Sequence, residues 1–100
     1  MKSLLIYGEA QRFALGRVVA TPAALNALAD AGAHPVELLN RHAAGDWGEV
    51  SDADALLNNR AQASGLRILS CYRLPKSGHR VWIITEADRT ATTILLPKDY

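Results

Sequence analysis

Within eight residues near the C-terminal end of the chain stand Glu86, Asp88, Arg89, Thr90, Thr92 and Thr93, with Thr85 just ahead of them. A guanidinium among hydroxyls is equipped to grip a phosphate or carboxylate, the arginine through paired N–H donors and the threonines through further bonds. The competing reading is a solvated hairpin, with Arg89 paired to Glu86 or Asp88 and the threonines merely suiting a pleated surface. His42 also has two readings: a cation at a helix C-terminus bonding the last carbonyls, or a functional imidazole beside the core.

Asp46-Trp47-Gly48 reads either as a recognition surface built on Trp47 or as a packed turn in which the indole fills a gap between helices. The candidate binding set is thus Trp47, Asp88, Arg89, Thr92 and Thr93. Asn58, Asn59 and Arg60 read as a polar helix face. His34 and His79 fall at element boundaries, and with His42 they lack any metal-ligand spacing, so no metal site is expected. No cofactor is expected either, since the chain has no glycine-rich phosphate loop, dinucleotide fingerprint, nucleophile elbow or zincin helix.

The formal net charge of +1 excludes a DNA mimic and a nonspecific DNA coater alike. Sequence-specific nucleic-acid binding through Arg12, Arg17, Arg67, Arg73 and Arg80 ranks low, because these positions are not expected to share one strand face or to flank paired exposed aromatics. A single cysteine, Cys71, leaves no intramolecular disulfide, and no apolar run approaches a membrane span, so a soluble protein of the cytosol is expected.

The elements that must position these groups are short. Leu4–Tyr7 and Phe13–Ala20 read as strands, with Gly8 and Gly16 as turn or bulge points. Thr21-Pro22 opens a helix that Gly32 stops, with Leu25, Leu28 and Ala29 at helical spacing. His34-Pro35 opens a second, with Val36, Leu39 and Ala43 as its buried stripe, ending at Gly45. Ser51 caps a third, carrying Leu56, Leu57, Arg60 and Ala61 to Gly65. From Leu66 the period changes to two: Leu66, Ile68, Ser70, Tyr72 and Leu74 share one face, and Arg67, Leu69, Cys71 and Arg73 the other. Strands over Val81–Thr85 and Thr92–Leu96 follow, joined by turns. The expectation for residues 1–100 is one α+β domain, helices packed on one face of a small antiparallel sheet ending in a three-stranded meander.

Arg41-His42-x-x-Gly45-Asp46-Trp47-Gly48 and Trp82-Ile83-Ile84-Thr85-Glu86-Ala87-Asp88-Arg89-x-x-Thr92-Thr93-Ile94-Leu95-Leu96-Pro97, with Thr21-Pro22-x-Ala24-Leu25 and Ser70-x-Tyr72, give the chain a family likeness over roughly residues 12 to 100. It resembles a family of short uncharacterised bacterial proteins carried on plasmids, phages and integrative elements. That resemblance implies a setting in mobile DNA. The order of helices leading into a sheet is also similar to small metal-independent ribonuclease toxins of the barnase and RelE kind; such enzymes need a proton acceptor and a proton donor near the scissile phosphate and a cation for the developing charge, and the resemblance implies His42, Glu86 and Arg89 for these catalytic roles, provided that the fold brings them together.

The leading expectation is a nonenzymatic accessory or interaction protein of mobile genetic elements. Its polar hairpin and Trp47 would meet a protein partner. The alternatives are a toxin-like endoribonuclease using His42, Glu86 and Arg89, and a nucleic-acid-binding module for RNA or DNA.

Overall fold

The computed structural model describes residues 11–100. The expected strand Leu4–Tyr7 lies outside them. Strand β1 (Arg17–Ala20) leads into helices α1 (Pro22–Ala31), α2 (Pro35–Ala43) and α3 (Asp52–Ser64), then strands β2 (Ile68–Arg73), β3 (Arg80–Thr85) and β4 (Ala91–Leu95), and a closing 3₁₀ turn, Pro97–Asp99.

The sheet order is β1-β4-β3-β2. Strands β2, β3 and β4 pair antiparallel in sequence, but β1 docks parallel to the outer side of β4, Arg17 opposite Ala91 and Ala20 opposite Ile94. The fold is α+β as expected, but the sheet is mixed rather than antiparallel and does not end at an edge meander. A hairpin would have forced β1 antiparallel; three helices separate it from the other strands, and a crossover of that length allows the parallel alignment.

Strand β1 is shorter than the run Phe13–Ala20 because Gly16 interrupts it. Gly16 has φ +65, and a Cβ there would lie 2.4 Å from the Thr90 carbonyl carbon and oxygen. Only glycine fits both the left-handed backbone and the close approach. Ahead of it, Phe13 and Leu15 leave the strand direction and enter the core.

The caps follow the sequence. Thr21 Oγ1 accepts from Ala24 N–H at 3.2 Å, Ser51 Oγ accepts from Asp54 N–H at 3.0 Å, and Pro22 and Pro35 open their helices. The buried stripes differ from expectation. Helix α1 buries Ala24, Leu28 and Ala31 and leaves Leu25 exposed; α2 buries Leu38, Leu39, His42 and Ala43. Helix α3 turns Asn58 and Ala61 inward and exposes Leu56 and Leu57. Asn58 is inward because it does backbone work: its amide donates to Leu69 C=O at 2.8 Å and accepts from Leu69 N–H at 3.2 Å, closing the outer edge of β2.

Helices α1 and α2 share one core with the sheet face carrying Ile68, Tyr72, Val81, Ile83 and Ile94. Cys71, Ile84 and Leu95, on the opposite face by strand alternation, are buried outside that core cluster.

Candidate functional site

His42 is fully buried where α2 meets the sheet. Its Nδ1 lies 2.6 Å from Ser70 Oγ and its Nε2 2.8 Å from Thr85 Oγ1, while Thr85 Oγ1 lies 2.7 Å from Thr92 Oγ1, which in turn donates to Leu15 C=O at 2.7 Å. The carbonyl at the end of the chain orders the protons. Thr92 spends its only hydrogen on Leu15, so Thr85 donates to Thr92, the imidazole Nε2–H donates to Thr85, and Ser70 donates to an unprotonated Nδ1. Each link is a neutral hydrogen bond, and together they tie α2, β2, β3, β4 and the segment before β1. The edges of Phe13 and Trp47 close the ring in, with centroids 5.2 and 6.0 Å away. Burial, with a smaller contribution from the Arg89 charge, lowers the His42 pKa to about 3, so the imidazole is neutral at physiological pH.

The hairpin candidates are equally committed. Arg89 turns back along the surface and donates to Leu66 C=O at 2.7 Å and Glu86 C=O at 3.0 Å through one terminal nitrogen, and to Ala61 C=O at 2.6 Å through the other. Ala61 and Leu66 bracket the end of α3, so the guanidinium caps the negative end of that helix. Arg89 holds φ +62, a conformation uncommon for a side chain of this size. Asp88 Oδ1 accepts from Thr90 N–H at 3.0 Å and Thr90 Oγ1 at 2.6 Å, closing the tip as an Asx turn. Thr92 is fully buried in the His42 chain, while Thr93, one residue on, lies half-buried on the other sheet face. Glu86 pairs with Arg67 at 3.7 Å. Trp47 is buried, donating its indole N–H to Asn59 Oδ1 at 3.1 Å, and is a packing residue rather than a recognition surface.

The sequence candidates are therefore divided among separate tasks: His42 and Thr92 in an interior chain, Arg89 on a helix end, Asp88 in a turn, Glu86 on the outer face. Among the described residues no cleft gathers His42, Glu86 and Arg89, and both imidazole nitrogens are occupied.

The sheet face turned away from α1 and α2 gathers residues not singled out as a set. Register places Leu69, Cys71 and Arg73 of β2 beside Ile84, Trp82 and Arg80 of β3, and Thr93 and Leu95 of β4 beyond them; Arg17 lies across from Ala91 on the same face. The C-terminal turn folds over β3, bringing the Tyr100 ring to 5.6 Å from Trp82 in an edge-on contact. Arg67 Nη1 donates to Tyr100 Oη at 2.7 Å. At the opposite end Glu49 sits between Arg73 (3.0 Å) and Arg80 (3.4 Å). Between these ends a cleft of about 410 Å³ is lined by Glu49, Ser51, Asp54, Leu69, Arg80 and Trp82, among others. Burial raises the Cys71 thiol pKa at its floor, which makes that sulfur a poor nucleophile.

Arg17, Arg67, Arg73 and Arg80 thus do share one face, with two aromatics among them, contrary to the expectation from sequence; only Arg12 lies elsewhere, against Gly45. The alternation Arg67, Leu69, Cys71, Arg73 carried the signal, but pairing Arg73 with Arg80 and Cys71 with Trp82 required the register. The near-zero net charge also conceals an asymmetry. Residues 22–64 hold Asp30, Glu37, Asp46, Glu49, Asp52 and Asp54 against Arg41 and Arg60; residues 65–100 hold Arg67, Arg73, Lys76, Arg80, Arg89 and Lys98 against Glu86, Asp88 and Asp99.

Comparison of the chain with protein families, with curated proteins and with solved structures finds no match. Among the described residues no helix is long and apolar enough to cross a membrane, and no cluster of three or more histidine, cysteine or acidic side chains is arranged to hold a metal ion.

Proposed function

We propose that the protein is a nonenzymatic accessory or interaction protein of mobile genetic elements, acting in the cytosol, and that it meets its partner through the sheet face bearing Trp82 and Tyr100. One observation carries this reading. His42 and Arg89, which suggested chemistry, are hydrogen-bonded to the fold itself, whereas on that face Tyr100, 67% exposed, stands against half-buried Trp82 with Arg67, Arg73 and Arg80 around them. The mobile-element setting rests on the motif resemblance. The contact surface differs from the hairpin tip and Trp47 that the sequence suggested, because those residues are spent on a helix cap, a turn and the core.

The endoribonuclease alternative asks His42 to act as base. A base must reach its proton directly or through one water, and an imidazole with no exposed surface, bonded on both sides, meets neither condition. The test is a comparison of surface variants. A Trp82→Ala/Tyr100→Ala protein should lose its partner in a cross-linking capture from cells, while Asp88→Ala, at the hairpin tip, should retain it. Capture that survives the first variant and fails with the second would return the contact surface to the hairpin.

A further inference from the structure

We infer that the partner on this sheet face is a single-stranded nucleic acid, running between the two basic ends of the face across Trp82 and Tyr100; the inference rests on the reading that this face is the contact surface. Four features point to it together. Cations stand at both ends of the face: Arg17 and Arg67 at one, Arg73, Arg80 and Lys98 at the other. The separation is the length of β3, six residues, or about 20 Å at the rise of a strand, within reach of a few nucleotides. Between them lie the half-buried Trp82 and the exposed Tyr100, with π surfaces on which bases can stack regardless of sequence. Lastly, much of the positive charge remains available. Arg17 and Lys98 have no ion-pair partner among the described residues, Glu49 is shared by two arginines, and the Arg67–Glu86 contact at 3.7 Å is an exposed pair of small worth that a phosphate oxygen can displace.

A duplex fits this surface poorly. Among the described residues no α-helix or hairpin projects from this face to enter a groove, and stacking on Tyr100 needs a base already out of its pair. The acids Glu49 and Asp54 border the cleft beside β2, so a polyanion is steered away from that edge.

The test is fluorescence anisotropy with labelled 12-nucleotide RNA, DNA of the same sequence, and the matching DNA duplex, at 50 and 200 mM salt. Either single strand should bind more tightly than the duplex, and affinity should fall roughly 10- to 20-fold between the two salts if about three phosphates are engaged. Tyr100→Ala should weaken single-strand binding by roughly 5- to 100-fold, and Tyr100→Phe should restore most of it. Arg67→Gln should flatten the salt dependence, while Arg60→Gln on α3 should change nothing. Circular dichroism and the melting temperature should show each variant folded. Absence of binding by folded wild-type protein at 10⁻⁴ M, about the weak end of ordinary nonspecific association, would overturn the inference, as would binding that Tyr100→Ala leaves unchanged. A photo-crosslinker in place of Tyr100, used in a nuclease-treated lysate, separates the two levels. A protein adduct without nucleic-acid binding overturns the inference and leaves the contact face standing, whereas no adduct and no binding removes both.

Discussion

The two faces of this one sheet use polar side chains in opposite ways. On the helix side Ser70, Thr85 and Thr92 are fully buried and joined to His42, every link within hydrogen-bonding distance. On the other side Arg67, Arg73, Arg80 and Glu86 are about half exposed, and their ion pairs among the described residues are with one another or with Glu49. Histidine attracts functional attention because its ordinary pKa lies near neutrality, yet here it spends both nitrogens on architecture. The difference teaches that a side chain's availability, set by its partners and its burial, decides its role ahead of its chemical type.

The largest effect should come from the buried side. His42→Ala removes the centre of the chain and leaves Ser70 and Thr85 short of partners beside a new cavity, which should cost about 3–5 kcal/mol in urea denaturation. A loss under about 1 kcal/mol would mean that the polar chain is incidental. Acid should attack the same point. Because the folded pKa of His42 is lowered to about 3 and the unfolded value is near 6.5, the unfolded chain binds a proton that the native state refuses between those limits. Stability is therefore fully present above about pH 6.5 and falls as pH drops toward 3. Between pH 6.5 and 4.5 the decline should amount to roughly 2–3 kcal/mol, and a folded His42→Gln variant should show a flatter profile. Asp46, Glu49, Asp88 and Asp99 have lowered pKa values, each through a hydrogen bond to a neighbour, and so act in more acid solution.

Arg89→Ala should be intermediate, about 1–3 kcal/mol by thermal or chemical unfolding, since carbonyls near the end of α3 lose a charged donor. Arg89→Gly keeps the left-handed backbone without strain, so any gap between the two variants measures the φ +62 conformation itself. The smallest effect is expected on the open face: Tyr100→Ala, with a mostly exposed ring, should shift stability by less than about 1 kcal/mol. A larger loss would make the C-terminal turn a structural lid and erase the contrast between the faces.

Much of the fold was legible where local chemistry decides it. Thr21-Pro22, His34-Pro35 and Ser51 mark helix starts, Gly32 and Gly65 mark ends, and the period-two run of β2 gave its face alternation. The orientation of β1 was not legible, since strand direction across a three-helix crossover depends on tertiary packing. Nor was the inward turn of Asn58, because its partner is a strand edge eleven residues away. The site failed for a related reason. Density of polar residues at the hairpin was read as availability, but Arg89 reaches carbonyls 23 and 28 residues earlier, and no spacing rule reveals such a reach. Arg67, Trp82 and Tyr100 come from three distant segments that only the folded sheet brings together.

Strand β4 lies between β1 and β3, and the order of manufacture gives that position a consequence. Arg17 is synthesised long before Ala91, its neighbour in the sheet, and at 5–20 residues per second the interval is about 4–15 s. Throughout that time Val18 and Val19 have no β4 against which to lie. The amides and carbonyls of β1 therefore wait for their ladder partner roughly a million times longer than a hairpin needs to form, and since Val18 and Val19 stay more than a third exposed even in the finished sheet, what β4 brings to β1 at the end is chiefly backbone hydrogen bonds.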